Sequence, residues 1–158
     1  MRQLSQEDLR ACCASTAWVA AVSERQPYGD LAALTEASEA AMATLSWADV
    51  EEALAAHPRI GERPAGERKE AAWSRKEQAG TATAGQAVLD AIREGNAAYE
   101  ERFGHVYLVC ATGRSAEEML ARLRGRLGSD AETERETVRG ELSAIVRLRL
   151  ARLWEGER

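Results

Sequence analysis

The sequence predicts an all-α fold, a single-domain helical bundle over residues 1–158. Apolar residues recur at the spacing of an amphipathic helix over most of the chain. A Ser followed three residues later by Asp or Glu, the pattern of a capped helix N-terminus, occurs at Ser5, Ser46, Ser74 and Ser115. Only HVYLVCA, at residues 105–111, is rich in β-forming residues. Because it has no obvious partner strand, we expect a short, extended and buried segment there.

Two helices are expected in the first part of the chain. Ser5 caps the first, and its apolar stripe continues to Ala17. The segment RQPYGD is predicted to be a turn, since it contains Pro and Gly. An alanine-rich helix follows over about residues 31–42.

The third helix is predicted to begin at Ser46 and to stop near His57. Pro58 disfavours the αR conformation of the residue before it, so His57 should lie at or just past the last turn. Gly61 then lets the chain change direction. The polar connection ERPAGERKEAAW, at residues 62–73, is expected on the surface.

The second half of the chain is expected to be helical apart from the 105–111 segment. Gly104 should end the helix that precedes this segment. The first predicted helix of this half begins at Ser74, with Glu77 at the N3 position. Three more helices are predicted, over about residues 83–102, from Ser115 to Gly128, and over about residues 131–153.

Charge and composition exclude several classes of protein. The net charge is −5, and the 21 basic residues are interleaved with 26 acidic ones, which argues against a nucleic-acid partner. No apolar run approaches the roughly 20 residues of a membrane span. The first residues do not have the pattern of a secretory signal. We therefore expect a cytoplasmic location and no membrane partner.

The cysteines and histidines predict no metal site and no disulfide framework. Cys12, Cys13 and Cys110 are an odd number and have no CxxC spacing, so we expect small buried apolar residues. The two histidines form no cluster with other potential ligands, so no metal is expected.

His57 directly precedes a proline at a predicted helix end, and this position has two interpretations. In the first, the side chain binds the last carbonyls of the helix, where the negative end of the dipole favours its protonated form. In the second, Pro58 and Gly61 hold the imidazole at a rigid corner, where it faces a pocket and exchanges a proton near neutral pH. Sequence position does not separate the two.

Glu77 and its neighbours also have two interpretations. A capping box with Ser74 would by itself explain Glu77, and the Gln78 amide would be ordinary on a surface. Alternatively, the carboxylate belongs to a site together with the amide, which supplies two donors and an acceptor.

Helical periodicity singles out Arg149 in the last helix. It falls inside the apolar face, whereas Arg147 falls on the opposite side; that face is set by Val138, Leu142, Ile145, Val146 and Leu153. An inward guanidinium keeps its charge, so it needs a carboxylate or a bound ligand, or must reach outward to solvent. A bound anion or polar cyclic ligand and an ion pair with a residue such as Glu77 both stay open.

Four separated stretches form one set: AHPRIG at residues 56–61, SRKEQAG at 74–80, NAAYEERFG at 96–104 followed by VYLVCATG, and the C-terminal IVRLRL. Together they resemble the OHCU decarboxylase family, where OHCU is 2-oxo-4-hydroxy-4-carboxy-5-ureidoimidazoline. With CASTAWVA near the start, the resemblance spans nearly the whole chain in the expected order. One departure is RQPY at 25–28, where the family commonly has Arg-Pro-Phe.

The resemblance implies an all-α, cofactor-free enzyme of urate degradation, usually a homodimer, that converts OHCU to (S)-allantoin and carbon dioxide. It implies His57 and Glu77 as the catalytic residues and an arginine of RLRL as a substrate ligand. Helical phase is an independent reason to prefer Arg149 to Arg147. The other implied substrate contacts are Pro58, Ser74, Gln78, Tyr107, Leu108, Val109 and Cys110.

Two other functions stay open, a catalytically silent module that binds a ureide and a hydrolase of a cyclic amide. The joint presence of His57, Glu77 and Arg149 favours catalysis over a silent module. The sequence lacks the activated nucleophile or metal constellation that a hydrolase needs. Because an inward arginine needs an acidic or bound partner, we predict that these three side chains converge on one pocket.

Overall fold

The structure is a computed structural model that describes residues 1–62, 66 and 68–156. Over these residues the chain is helical, with one short 3₁₀ helix, Ala79–Thr81, and no β-strand, so the all-α prediction is confirmed. In chain order the α-helices are α1 (Gln6–Cys12), α2 (Thr16–Glu24), α3 (Leu31–Thr44), α4 (Trp47–Leu54), α5 (Lys69–Glu77), α6 (Gln86–Phe103), α7 (Ala116–Arg126) and α8 (Ala131–Trp154).

The chain divides into two compact units. The first comprises Met1–Ala56 and Arg139–Arg158, and the second comprises His57–Val138, so α8 contributes residues to both. That residues 1–158 form a single domain stays a prediction. None of the described helices is both long and apolar enough to cross a lipid bilayer.

The first unit corrects one expectation about the N-terminal helix. Its stripe was expected to continue to Ala17, but α1 ends at Cys12 and α2 begins at Thr16. Ser15 separates them because its buried hydroxyl accepts a hydrogen bond from the Trp18 N–H at 3.3 Å, which caps a new helix. The expected helix starts after Ser5 and Ser46 are confirmed by side-chain caps.

Most of the buried side chains of the first unit belong to α1 to α4 and to α8. The predicted apolar face of α8 is confirmed, since all five of its residues are buried. Trp18 is fully buried and its indole N–H donates to Ser38 Oγ at 3.2 Å. The Tyr28 hydroxyl donates to the Val22 carbonyl at 2.6 Å, so the RQPY departure from the family pattern contributes to packing after α2.

The second unit corrects the expected start of α5. Ser74 was predicted to be its N-cap, but the helix begins at Lys69, so Ser74 lies inside it and Glu77 is its last residue. Trp73 lies in the stretch expected to be a surface connection but is fully buried, and burying its indole stabilises the fold by more than a cap at Ser74 would. The parts of that connection at residues 63–65 and 67 lie outside the described residues.

The other predicted elements of the second unit are confirmed to within a few residues. Gly104 caps α6 with φ of 80°, and Ser115 forms a capping box with Glu118 at the start of α7. Residues 106–111 lie outside any helix or strand, and Tyr107, Leu108 and Val109 are buried, as expected for this segment.

Two glycines allow the backbone of the second unit to pack closely. A Cβ at Gly95 on α6 would lie 2.5 Å from Cδ2 of Leu123 on α7. A Cβ at Gly80 would overlap the carbonyl oxygen of Arg114. Gly80 ends the SRKEQAG stretch, so this contact joins the segment after α5 to the residues that precede α7.

We predict that Gly80→Ala destabilises the fold by about 2 kcal/mol or more, since a backbone oxygen cannot move aside as a flexible side chain can. Urea unfolding followed by circular dichroism measures this change. Gly125→Ala on α7 is the matched control, because nothing lies within 4 Å of its added Cβ. A Gly-to-Ala change in this last turn of α7 should stabilise by up to about 0.5–1 kcal/mol. Equal stability of the two variants would contradict the close approach at Gly80.

Candidate functional site

His57 lies in a bend between α4 and the Gly61 turn, and its side chain is half-buried. Gly61 has φ of 93°, so the predicted change of chain direction is confirmed. Residues 57–61, called here the histidine turn, are not part of any helix or strand. Their backbone groups therefore need partners from elsewhere in the fold.

Gln78 supplies two of those partners. Its Oε1 accepts from the Gly61 N–H at 2.9 Å, and its Nε2 donates to the Arg59 carbonyl at 3.3 Å. Gln78 is the C-cap of α5 and is 8% exposed. One buried side-chain amide thus joins the histidine turn to the end of the helix that carries Ser74 and Glu77.

Asn96 on α6 supplies a third partner. Its Nδ2 donates to the Ile60 carbonyl at 2.9 Å, and the side chain is buried. Ile60 itself belongs to the buried cluster that also contains Tyr107 and Val109. The histidine turn is therefore fixed to α6 by a hydrogen bond and packs into the same core as the 106–111 segment.

An ion pair holds the outer side of the histidine turn. Arg59 donates through Nε and Nη2 to the two carboxylate oxygens of Glu100 on α6, at 2.9 and 3.0 Å. This two-point contact orients the guanidinium. Because Arg59 is about half exposed, the pair adds little to stability and mainly fixes direction.

The end of α5 presents three buried polar side chains from the candidate list. Ser74 is 6% exposed, Glu77 is 8% exposed, and Gln78 follows directly. Charged and amide groups are rarely so buried unless paired. Gln78 contacts the histidine turn, and Ser74 and Glu77 are buried polar groups of the same helix end.

The 107–110 segment is anchored through alternate carbonyls. The Cys110 carbonyl accepts from Arg114 Nε at 3.0 Å, and the Leu108 carbonyl accepts from Arg126 Nη1 on α7. Tyr107 donates its hydroxyl to the Met119 carbonyl at 3.1 Å. Side chains thus do for this segment what a neighbouring strand would do in a sheet.

Arg149 lies in the first unit, on α8. The prediction that it faces inward is confirmed, since it is 4% exposed while Arg147 is exposed. Its Nη1 donates to the Ala11 carbonyl at 3.3 Å, near the end of α1, where helix carbonyls lack intrahelical partners. The convergence of Arg149 with His57 and Glu77 stays a prediction.

The cysteines do not supply a nucleophile in the first unit. Cys12 and Cys13 are buried, as expected, and burial raises the pKa of the Cys13 thiol to about 12 despite the nearby charge of Arg149. Cys110 is only partly buried, contrary to the expectation for all three. Among the described residues, no group of His, Cys, Asp or Glu is arranged to hold a metal ion.

Sequence reasoning missed the residues that hold the site segments, although a signal for them exists. Asn96 lies four residues after Ile92 and three before Tyr99, all on the buried face of α6. Glu134 lies four residues before Val138 on the buried face of α8. The phase reasoning applied to Arg149 would have identified both as inward polar groups.

Comparison with known proteins gives a family match over most of the chain. The model of the OHCU decarboxylase family matches residues 2–151. A solved structure described as OHCU decarboxylase in the presence of (S)-allantoin superposes with a TM-score of 0.84 and 26% sequence identity, covering 96% of this chain and 99% of that chain.

Two further proteins are also similar to the chain. The uric acid degradation bifunctional protein TTL of Arabidopsis thaliana is 29% identical over 155 residues, 96% of this chain and 48% of that protein. The 2-oxo-4-hydroxy-4-carboxy-5-ureidoimidazoline decarboxylase of Amia calva is 37% identical over 99 residues, 60% of this chain and 55% of that protein. The matched region is thus about half the length of each relative.

Asn96→Asp tests the anchoring of the histidine turn. At neutral pH the aspartate places an acceptor against the Ile60 carbonyl, so we expect the free energy of unfolding to fall by about 2 kcal/mol. The buried carboxyl should have a raised pKa, so the loss should shrink as the pH falls toward about 4, where the protonated acid can donate. Urea unfolding of variant and wild type at both pH values measures this.

Glu101→Gln, an exposed acid-amide exchange on the same helix, is the control and should change stability by less than about 0.5 kcal/mol. An Asn96→Asp variant as stable as the wild type at pH 7 would show that the Ile60 contact does not hold the turn.

Proposed function

Because this chain belongs to the OHCU decarboxylase family, we propose that it catalyses the cofactor-free decarboxylation of OHCU to (S)-allantoin and carbon dioxide in urate degradation. The observation that carries the proposal is the family match over residues 2–151. The superposition on a decarboxylase solved in the presence of (S)-allantoin supports it. The buried polar end of α5, which Gln78 joins to the histidine turn, supports it chemically.

The proposed reaction can proceed without a metal or an organic cofactor. Loss of carbon dioxide leaves electron density on the ring carbon, which the adjacent unsaturated ring and its nitrogens accept. The protein then has to orient the substrate, exclude water and deliver a proton to one face. Protonation on a single face gives a single enantiomer of allantoin.

His57 is proposed to transfer the proton. An imidazole titrates near neutral pH and can act as acid or base there. The anchoring of the histidine turn by Gln78 and Asn96 supports this role, because a proton donor has to keep its position relative to the ring carbon. Pro58 restricts the backbone next to the imidazole and is proposed to contact the substrate.

Glu77 is proposed to accept hydrogen bonds from the ring or ureido N–H groups of the substrate. Its burial at the end of α5 supports this, since a carboxylate removed from water binds an N–H donor more strongly. Ser74 lies one helical turn before it and is proposed as a further contact.

Gln78 and residues 107–110 complete the proposed substrate contacts. Each polar atom of the Gln78 amide makes one backbone hydrogen bond and keeps capacity for a second. The backbone from Tyr107 to Cys110 is proposed to contact the ring of the substrate. Arg149 is proposed to hold the substrate carboxylate or a carbonyl through its planar guanidinium.

Two further parts of the hypothesis concern the protein as a whole. The homodimer stays a prediction of the family resemblance, and the cytoplasmic location stays a prediction of the sequence.

A silent ureide-binding module is the second candidate function, and it predicts binding of (S)-allantoin without turnover of OHCU. A cyclic-amide hydrolase would act on a ring amide and release no carbon dioxide.

His57→Asn is predicted to lower the enzyme-accelerated rate by about 10²- to 10⁴-fold, the usual contribution of a positioned acid or base. Uncatalysed decay of OHCU has no preferred face, so the enantiomeric excess of the allantoin formed should fall toward zero. Feeding freshly generated OHCU in the presence of a chelator and following allantoin chirality by circular dichroism measures both quantities.

His105→Asn is the matched control, because His105 is the other histidine of the chain and should leave rate and enantiomeric excess unchanged. If the His57→Asn variant keeps both and loses only about 1–2 kcal/mol of stability, His57 is a helix-terminal residue and its catalytic role is wrong. A wild-type protein that forms no (S)-allantoin would reject the proposed activity itself.

Arg149→Lys is predicted to lower kcat/KM by about 10- to 100-fold, since an ammonium keeps the charge but lacks the two-point contact of a guanidinium. Arg147→Lys is the control, because Arg147 is exposed on the same helix. Steady-state kinetics and the melting temperature of both variants are measured. An Arg149→Lys variant with wild-type kinetics would remove this residue from the substrate site.

A further inference from the structure

We propose that Arg126 and Glu134 are positioning residues that fix the 107–110 backbone for substrate contact. This inference rests on the proposed function, because it concerns the segment proposed to touch the substrate. It assigns a role to a buried ion pair that neither the histidine turn nor α5 uses. Both residues and the segment lie in the second unit.

The 107–110 segment needs such support because it has no strand partner among the described residues. A buried backbone outside helices and sheets leaves its carbonyl and N–H groups unsatisfied unless side chains bind them. The Leu108 carbonyl is bound by Arg126 Nη1 from α7. The position of that carbonyl therefore depends on the position of the guanidinium.

Glu134 fixes the guanidinium in turn. Arg126 Nε donates to Glu134 Oε1 at 2.7 Å, and the Tyr99 hydroxyl donates to the same oxygen at 2.6 Å. The Glu134 side chain is fully buried and that of Arg126 is 12% exposed. Three elements, α6, α7 and α8, thus meet at one carboxylate oxygen.

Cation–π contacts also join the guanidinium to the segment. The Arg126 guanidinium carbon lies 4.8 Å from the centre of the Tyr107 ring and 5.9 Å from that of Tyr99. Arg126 therefore contacts two successive residues of the segment, Tyr107 through its ring and Leu108 through its carbonyl. These contacts oppose both a rotation of the segment and a shift along its length.

The Arg126 guanidinium stays charged although it is largely buried. Burial alone lowers the pKa of Arg126, but the hydrogen bond and the negative charge of Glu134 outweigh burial and raise it. Burial, and then the hydrogen bond to Glu134, raise the pKa of Tyr99, so the hydroxyl remains a donor at neutral pH. Arg126 therefore stays charged and the Tyr99 hydroxyl stays protonated at physiological pH.

A role in positioning explains this pair better than a role in stability. Apolar side chains of similar volume often stabilise a core as well as a buried ion pair does, because desolvation of two charges is costly. Apolar side chains would leave the Leu108 carbonyl without its donor. A guanidinium can bind a carboxylate and a carbonyl at the same time, in a fixed relative direction.

Arg126→Met tests the inference, with Arg124→Met as the matched control on the exposed side of α7. We expect KM for OHCU and the Kd for (S)-allantoin to rise by about 10-fold or more, since a displaced contact segment loses binding. The product should keep its enantiomeric excess, because the proton donor is unchanged. The control should match the wild type in all three quantities.

The outcomes separate this inference from the proposed function. Wild-type protein without (S)-allantoin formation rejects the function, whereas an active wild type with unchanged KM and Kd in Arg126→Met overturns the positioning role alone. If Arg126→Met does not fold, Arg126→Lys and Glu134→Gln decide. A folded variant with raised KM supports the role, and one with wild-type KM overturns it. Failure of both to fold makes the pair a stability element and also overturns it.

Discussion

Every backbone group that is removed from water needs a hydrogen-bond partner, and the candidate site is built where helices and strands do not supply one. The histidine turn and the 107–110 segment are both irregular. Their carbonyls and N–H groups are bound instead by side chains of Gln78, Asn96 and Arg126. Irregular backbone held in this way keeps a defined position without being helical.

Helical phase and helix caps carried most of the sequence prediction. The burial of Arg149 followed from its place on the apolar face of α8, and Gly104 and Ser115 were found where their conformational preferences put them. Ser74 shows the limit of a local signal. Its capping pattern is genuine in the sequence, but Trp73 is buried, and the packing of an indole outweighs the roughly 1 kcal/mol that a cap contributes.

Partners distant in sequence were beyond prediction for a different reason. The positions of Asn96 and Glu134 around their helices indicate that both side chains face inward. They do not indicate which groups those side chains bind. The contacts from Asn96 to Ile60 and from Glu134 to Tyr99 join residues more than thirty positions apart. They depend on how the helices pack, which side-chain spacing along one helix does not encode. The family resemblance supplied candidate roles, and these remain separate from the geometry that anchors the segments.

The cysteines give the chain an internal chemical reporter. The thiolate is the form that reacts with alkylating reagents, and the buried Cys13 thiol with its raised pKa stays protonated at neutral pH. Cys110 is partly accessible and belongs to the segment that carries the proposed substrate contacts. Because Cys12 is buried as well, modification by a thiol reagent should concentrate on Cys110. Its rate reports how far a bound ligand shields the segment, in the unmodified sequence and without a catalytic assay.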